Sequence, residues 1–421
     1  MAGPGNGIGL DPQRRSILIW MCVLIAVNQF GFGAIVPVMP LYADEFGVSE
    51  TAIGFTIAIY GLARFLVNVP AGVMADRIGR RGALTVGGLL TVVGTLICAV
   101  APEYWVLLIG RFIAGAGAAC VLTAGQIVLA DIASPANRGR VMAIYMGVFL
   151  FAVGAGAFPG GWLASTVSLE SPFIAGAILA GTVTIIAWFA LPETRDLYED
   201  PNPARPSDLN APAQSMLRRL AAIPGFVQIS AVSFSSFFAR TGGLFTIIPL
   251  LAKDKIGASA SDIGLGLSMI SVVGLVLVYP SGMIVDRFGR KRVIVPSMLL
   301  AGVAMLLYLQ VTSVTTFLLA SVVWSCATGV AGAAPAAYAA DIAPRGMTAS
   351  TMSWYRSISD SGYVMGPLLM GLIADLISPE AALVATSVLL VGVGISFALR
   401  APESYGRPPA AEPTAAAVPE T

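Results

Sequence analysis

Twelve apolar runs, each long enough to cross a lipid bilayer as a helix, recur along this chain at roughly 17–41, 51–75, 83–101, 104–130, 141–166, 172–191, 226–251, 262–285, 293–312, 315–340, 349–377 and 381–399. A hydrocarbon core about 30 Å thick needs about 20 helical residues to span it. Composition agrees: 57% of residues are hydrophobic and 11% charged, the latter about half the share in an average soluble domain. A water-soluble fold of this length has nowhere to hide so much apolar surface. A large β-barrel would show short segments of alternating polarity, and the runs here are continuous. The chain reads as an all-α, multi-pass membrane protein with twelve transmembrane helices.

Charge outside the runs is one-sided. With twelve spans both termini share a face, and that face collects Arg14, Arg15, Arg77, Arg80, Arg81, Arg138, Arg140, Arg195, Arg205, Arg218, Arg219, Arg287, Arg290, Lys291, Arg292, Arg345, Arg400 and Arg407. The opposite face holds only Lys253 and Lys255. Loops rich in Lys and Arg stay in the cytoplasm, so both termini are expected there, in a plasma (inner) membrane. The opening "MAGPGNGIGLDPQRRS" is polar, and the apolar run behind it is longer than a signal-peptide core and shows no small-residue cleavage site. Arg14 and Arg15 read as an anchor for the first span rather than as a twin-arginine signal.

Several chemistries drop out. The chain has no histidine, which excludes imidazole catalysis, His-ligated metals and imidazole proton relays. Cys22, Cys98, Cys120 and Cys326 fall inside spans without metal spacing and read as small apolar residues. No nucleophile–base pair or phosphate loop is recognisable, and G-x-x-x-x-G-K-[ST] is missing. Neither an enzyme nor an ATP-driven pump is expected, and no cofactor, metal or nucleic acid is implied.

The middle of the chain, "PETRDLYEDPNPARPSDLNAPAQSMLRRL", is proline-rich and charged and reads as a cytoplasmic linker, as does the tail from Pro402. The expected division is a segment 1–16, a six-helix bundle over 17–191, the linker 192–225, a second six-helix bundle over 226–399, and a disordered tail 400–421. An internal repeat supports two halves of one design. "GVMADRIGRRG" from Gly72 and "GMIVDRFGRKR" from Gly282 share G-x-x-x-D-R-x-G-R-[RK], at an offset of 210 residues. At the same offset "DIA" at Asp131 meets "DIA" at Asp341, and "PET" at Pro192 meets "PES" at Pro402. Parallel repeats of this kind are a recurring plan of secondary transporters.

These motifs carry a resemblance over the whole chain to the major facilitator superfamily (MFS), and within it to bacterial proton-coupled drug and metabolite efflux members. The two charged stretches resemble the family's loop 2–3 signature and its loop 8–9 counterpart. "RFIAGAGAA" from Arg111 resembles the helix 4 motif R-x-x-x-G-x-G-x-A of proton-coupled members, and "RSISDSGYVMGPLLMGLIADL" from Arg356 resembles helix 11 of many bacterial members. Span 5 departs from the antiporter pattern: where G-P-x-x-G-G is usual it reads Gly156-Ala157-Phe158-Pro159-Gly160-Gly161, with the proline displaced and the glycines kept.

In the loop motif, Gly72 and Gly79 allow close backbone approach, Asp76 is placed to cap a helix N-terminus, and Arg77, Arg80 and Arg81 hold the loop at an anionic lipid face. The arginines are also placed to pair with acids across the seam between the halves. The resemblance implies that this network, with Gly282, Asp286, Arg287, Gly289, Arg290 and Lys291 in the second half, latches one access state; the alternative is topological anchoring alone. Asp131 and Asp341 are expected to brace loops near Arg138 and Arg345.

Charges within spans are costly and mark functional candidates. Arg64, Arg240 and Asp360 fall near mid-span, with Arg356 four residues before Asp360, and the resemblance places a cargo cavity at this level. Arg111 lies towards the outer end of span 4, where it either snorkels to the surface or, as the helix 4 motif implies, takes part in proton coupling with Asp360. Asn28, Gln29, Tyr60, Gln126 and Tyr355 add polar groups at cavity level, each also explicable as a helix–helix hydrogen bond.

Three classes stay open. The first is a proton-coupled exporter of small amphipathic organic compounds working by alternating access, favoured by the helix 4 motif and by Phe30, Phe32, Phe237, Phe238, Trp354 and Tyr355. The second takes up or exchanges an anionic organic metabolite, favoured by four embedded arginines against one acid. The third is a membrane sensor that transports nothing. The expected partners are a small-molecule cargo, protons and the lipid bilayer, and the chain is expected to act as a monomer.

Overall fold

The two halves start and stop their helices with the same devices. In the computed structural model, which describes residues 10–134, 137–195, 218–332, 334–344 and 348–404, helix α1 is Pro12–Ile35, begun by the Asp11 side chain accepting from Arg14 N at 2.8 Å. Helix α2 is Glu50–Ile78, α3 Arg80–Ala99, α4 Tyr104–Ile132, α5 Arg138–Thr166 and α6 Ser171–Phe189. The second half continues with α7 Phe226–Ile256, α8 Ala260–Phe288, α9 Arg290–Leu307, α10 Val314–Asp341, α11 Thr348–Leu376 and α12 Pro379–Arg400. Helices α2 and α8 are both 29 residues long, start on a serine cap (Ser49, Ser259), contain a proline (Pro70, Pro280) and end on a glycine with φ near 90° (Gly79, Gly289). That backbone conformation suits glycine alone, and it turns the chain sharply into α3 and α9.

Eleven of the helices are long and apolar enough to cross a membrane. The remaining one, α11, has 29 residues, about 43 Å of helix, and carries Arg356 and Asp360 in its middle. Three spans depart from simple rods. The first run breaks at Ile35 and resumes as a short helix, Met39–Asp44. Helix α7 passes through a π-helical stretch, Ala239–Ile247, and α10 is interrupted at Gly332, where φ is +46°. The linker from 196 to 217, the tail from 405, Arg345, and the side chains of Arg138 and Asp286 lie outside the described residues.

Within the first half, α1 packs on α5 and α6, α3 on α4 and α6, and α2 on α4; in the second, α7 packs on α11 and α12, α9 on α10 and α12, and α8 on α10. The halves meet along α5–α8 and α2–α11. Glycines set these crossings. Cβ atoms at Gly156 and Gly160 would collide with the α1 backbone at Phe30 and Ala34, and one at Gly161 with Ala260 O of α8. The counterpart in α11 is alike: Gly362 and Gly366 abut Phe234 O and Phe238 O of α7, and Gly371 abuts Glu50 O of α2. So the displaced proline of span 5 leaves its glycine contacts intact, and α5 is wedged between α1 and α8.

The seam is sealed at the end of the bundle away from the charged motifs, the distal end. Asp375 of α11 accepts from Glu50 N (2.8 Å), Thr51 N (3.0 Å) and Thr51 Oγ1 (2.5 Å), capping α2 from the other half. Lys253 Nζ lies 2.6 Å from Asp44 Oδ2. Ser268 of α8 donates to Gly154 O (2.6 Å) and accepts from Phe158 N (2.8 Å), so its hydroxyl ties one rung of α5 to α8. Towards the motif end α2 becomes more exposed: no residue from Glu50 to Arg64 is exposed, whereas Phe65, Leu66, Asn68, Val69 and Pro70 all are.

Candidate functional site

Arg64 and Asp360 come from α2 and α11, which meet across the seam, and Arg240 comes from α7, which packs on α11. Arg64 is the central residue of α2, with its guanidinium 5.8 Å from the Tyr363 ring centre and its Nε buried without a hydrogen-bond partner among the described residues. Arg240 comes from the π-helical stretch of α7, where Ala239 and Thr241 through Ile247 are all buried and Arg240 alone is exposed. A π-bulge rotates one side chain out of the α-helical register, and such bulges recur at functional sites. Its guanidinium lies 5.6 Å from the Phe245 ring. Tyr363 and Phe245, the rings beside Arg64 and Arg240, line one small cavity.

Asp360 precedes Tyr363 by three residues on the same face of α11. Arg356 precedes Asp360 by one turn of the same helix. Among the described residues, none of Arg64, Arg240, Arg356 and Asp360 comes within the 4.0 Å of an ion pair. A fixed Arg356–Asp360 bridge, the simplest static reading of that pair, is therefore not formed in this state, and the described neighbour of Arg240 is an aromatic ring rather than a carboxylate.

Arg111 does not snorkel. It is 4% exposed, donates from Nε to Thr56 O at 3.1 Å, and lies 4.4 Å over the Tyr60 ring. Tyr60 in turn stacks on Phe32 at 5.3 Å. The helical carbonyl of Thr56 is a ready acceptor there, and two aromatic faces shield the cation from lipid. A cavity of about 10 Å³ lies between Arg111, Tyr363, Phe32 and Phe245, room for about one water.

The other polar candidates scatter. Asn28 Nδ2 donates to Gln29 Oε1 at 2.9 Å, and both are buried in α1. Tyr355 shares a short hydrogen bond with Ser233, joining α11 to α7. Gln126 is partly buried in α4. Tyr363 and Phe245 were not among the sequence candidates, although the i, i+3 spacing from Asp360 signals the former.

The charged loop is built differently from its expected wiring. Asp76 caps no helix; it pairs with Arg80 at 3.1 Å and its side chain is 69% exposed. Arg80 also donates to the buried Asp131 at 3.0 Å, and Thr194 donates to the same oxygen at 2.9 Å. Asp131 thus braces α3 through Arg80, while the Arg138 side chain lies outside the described residues. The cap of α3 is Glu193 of the "PET" stretch, which accepts from Arg80 N at 2.9 Å and Arg81 N at 3.3 Å. In the second half Glu403 of "PES" accepts from Arg290 N at 3.0 Å and Lys291 N at 3.2 Å, while Asp341 accepts from Ser404 at 3.0 Å and meets Arg290 at 3.4 Å. These contacts tie each loop to its own half.

A helical bundle in two halves of like design, packed on each other along α5–α8 and α2–α11 and tied together at the distal end, is the architecture of a membrane transporter. The family model of the Major Facilitator Superfamily matches residues 21–255 and 229–420. The chain belongs to that family, whose members are transporters and not enzymes. It is 24% identical over 396 residues to multidrug resistance protein 2 of Bacillus subtilis (strain 168), covering 91% of this chain and 95% of that one. It is 28% identical over 292 residues to the class C tetracycline resistance protein of Escherichia coli, with 68% and 72% covered. Its fold matches the crystal structure of a bacterial homologue of the human lysosomal transporter Spinster, inward-facing and unoccupied, with a TM-score of 0.75, 20% identity, and 93% and 97% covered.

Proposed function

We propose that this MFS transporter is a proton-coupled exporter of small amphipathic organic compounds, in which Asp360 takes and releases the proton. One observation supports the reading: Asp360, an acid inside α11 with Arg356 one turn before it, makes no ion pair among the described residues. Rocking of the halves changes which guanidinium is near, and so changes the carboxylate's hold on a proton. The multidrug and tetracycline resistance relatives support the outward direction.

The cargo is taken to bind among Asn28, Gln29, Tyr60, Arg64, Gln126, Arg240, Tyr355, Arg356 and Asp360, with Arg111 assisting the proton step. The excess of cations on the motif side supports cytoplasmic termini in an inner membrane, which puts the distal seal on the outer side. The division at 192–225 and a monomeric working unit complete the proposal. A second reading, uptake or exchange of an anionic organic metabolite, draws support from the surplus of guanidinium groups within the spans.

The experiment is flux of a fluorescent amphipathic compound in proteoliposomes with and without a pH gradient. Wild-type protein should show gradient-driven accumulation, and Asp360→Asn should lose it while still binding the compound. Gradient-driven flux surviving in Asp360→Asn rules this carboxylate out.

A further inference from the structure

The distal corner where α2 meets α11 holds a carboxylate that its surroundings do not satisfy. Glu50 is the first residue of α2 and precedes the apolar run 51–75, which sets it at the rim of the membrane. Its Oε2 is buried without a hydrogen-bond partner among the described residues, and Glu50 joins none of their ion pairs. Beside it stands a second acid. Asp375 of α11 accepts from Glu50 N, Thr51 N and Thr51 Oγ1, so these donors serve Asp375 and not the Glu50 side chain. Both lysines of this face are engaged elsewhere, Lys253 with Asp44 at 2.6 Å and Lys255 with Glu380 at 3.5 Å. The charges next to them in the chain, Glu45 and Asp254, are acidic and exposed. On the α4 side Tyr104 donates to Ala52 O at 2.8 Å.

This enclosure is made by closure of the halves. A Cβ at Gly371 of α11 would collide with Glu50 O, and Asp375 grips the same residue from across the seam. Parting α2 from α11 at this end gives Glu50 to water. An ionised carboxylate shut in without a donor and beside another acid is costly, and a neutral carboxyl much less so. Hydration in the open state removes the difference. We infer that Glu50 is a proton-binding group of the distal seal, which closes with Glu50 neutral and loosens when Glu50 releases its proton to the water at that mouth. The closed state then binds the proton more tightly than the open one. Its advantage is present in full below the ordinary glutamate value of about 4.3 and is lost as the pH climbs above it. This goes beyond the exporter reading, since it needs neither a cargo nor Asp360.

Distal closure can be read as a distance. Val100 and Thr312 are exposed positions in distal loops of opposite halves. Spin labels on cysteines placed there, in a background with the four native cysteines replaced, report the separation by double electron–electron resonance on the full chain in phosphatidylcholine nanodiscs. From about pH 5 to about pH 8 the short-distance population should fall relative to the long one, by up to about tenfold per pH unit, the limit for one proton. Glu50→Gln should stay closed across that range, and Glu50→Ala should also lose the pH response. Asp360→Asn should keep the wild-type response, which separates the distal proton from the one proposed at mid-span. A wild-type distribution that ignores pH overturns the inference. So does a full response in Glu50→Gln or Glu50→Ala, or its disappearance in Asp360→Asn. Should either Glu50 variant fail to fold, the wild-type and Asp360→Asn profiles still decide.

Discussion

At the scale of single residues, burial decides which charges matter. Asp131 has a side chain 3% exposed and Arg80 one 11% exposed, whereas Asp76 is 69% exposed. Removing one partner of a buried pair strands the other, at roughly 3–5 kcal/mol, while an exposed pair is worth about 0–1 kcal/mol. Arg80→Ala should therefore lower the melting temperature sharply, and Asp76→Asn should barely move it, by thermal unfolding in detergent. If the motif also latches an access state, Asp76→Asn will transport poorly despite normal melting. Wild-type flux in both Asp76→Asn and Asp286→Asn would remove the latch. The embedded arginines were legible in the sequence because a charge in an apolar run is conspicuous. Glu193 and Phe245 were not, because a loop glutamate and an aromatic in a greasy helix look ordinary until the neighbours they touch are known.

At the scale of helices, close crossings without side chains hold the seam. A Cβ at Gly161 would strike the α8 backbone at Ala260, whereas nothing lies within 4 Å of one at Gly147. Cysteines at Asp44 and Lys253, in a background with the four native cysteines replaced, would report distal closure by crosslinking. Gly161→Val should cut that yield and Gly147→Val should leave it unchanged. The Ser268 hydroxyl bonds both ends of one rung of α5. Ser268→Ala should weaken the seam by about 0.6 kcal/mol, seen as a smaller loss of crosslinking than Gly161→Val produces. Periodicity and length announced the helices. The π-helical stretch of α7 and the break of α10 at Gly332 were hidden, because each depends on what the neighbouring helix allows.

At the scale of the whole molecule, the distal seal is made across the halves by Asp375 capping α2 and by Lys253 with Asp44. A side-chain cap contributes about 0.5–2 kcal/mol, so Asp375→Asn should shift the population towards distal opening, read as increased labelling of cysteines placed between the halves from the distal side. Membrane-impermeant reagents applied outside intact cells should label cysteines at positions 253 and 255; labelling from the cytoplasm alone would invert the orientation. The sequence by itself determined the membrane class, the helix-length apolar runs, the internal repeat and which charges interrupt those runs, because all of these follow from residue type and spacing along one dimension. Which end is closed, which arginine is buried under an aromatic ring and which is exposed, and whether Asp360 is held or free were decided only in the tertiary structure. Those outcomes depend on contacts between helices far apart in the chain, where an ångström of backbone approach at a glycine settles which groups can meet.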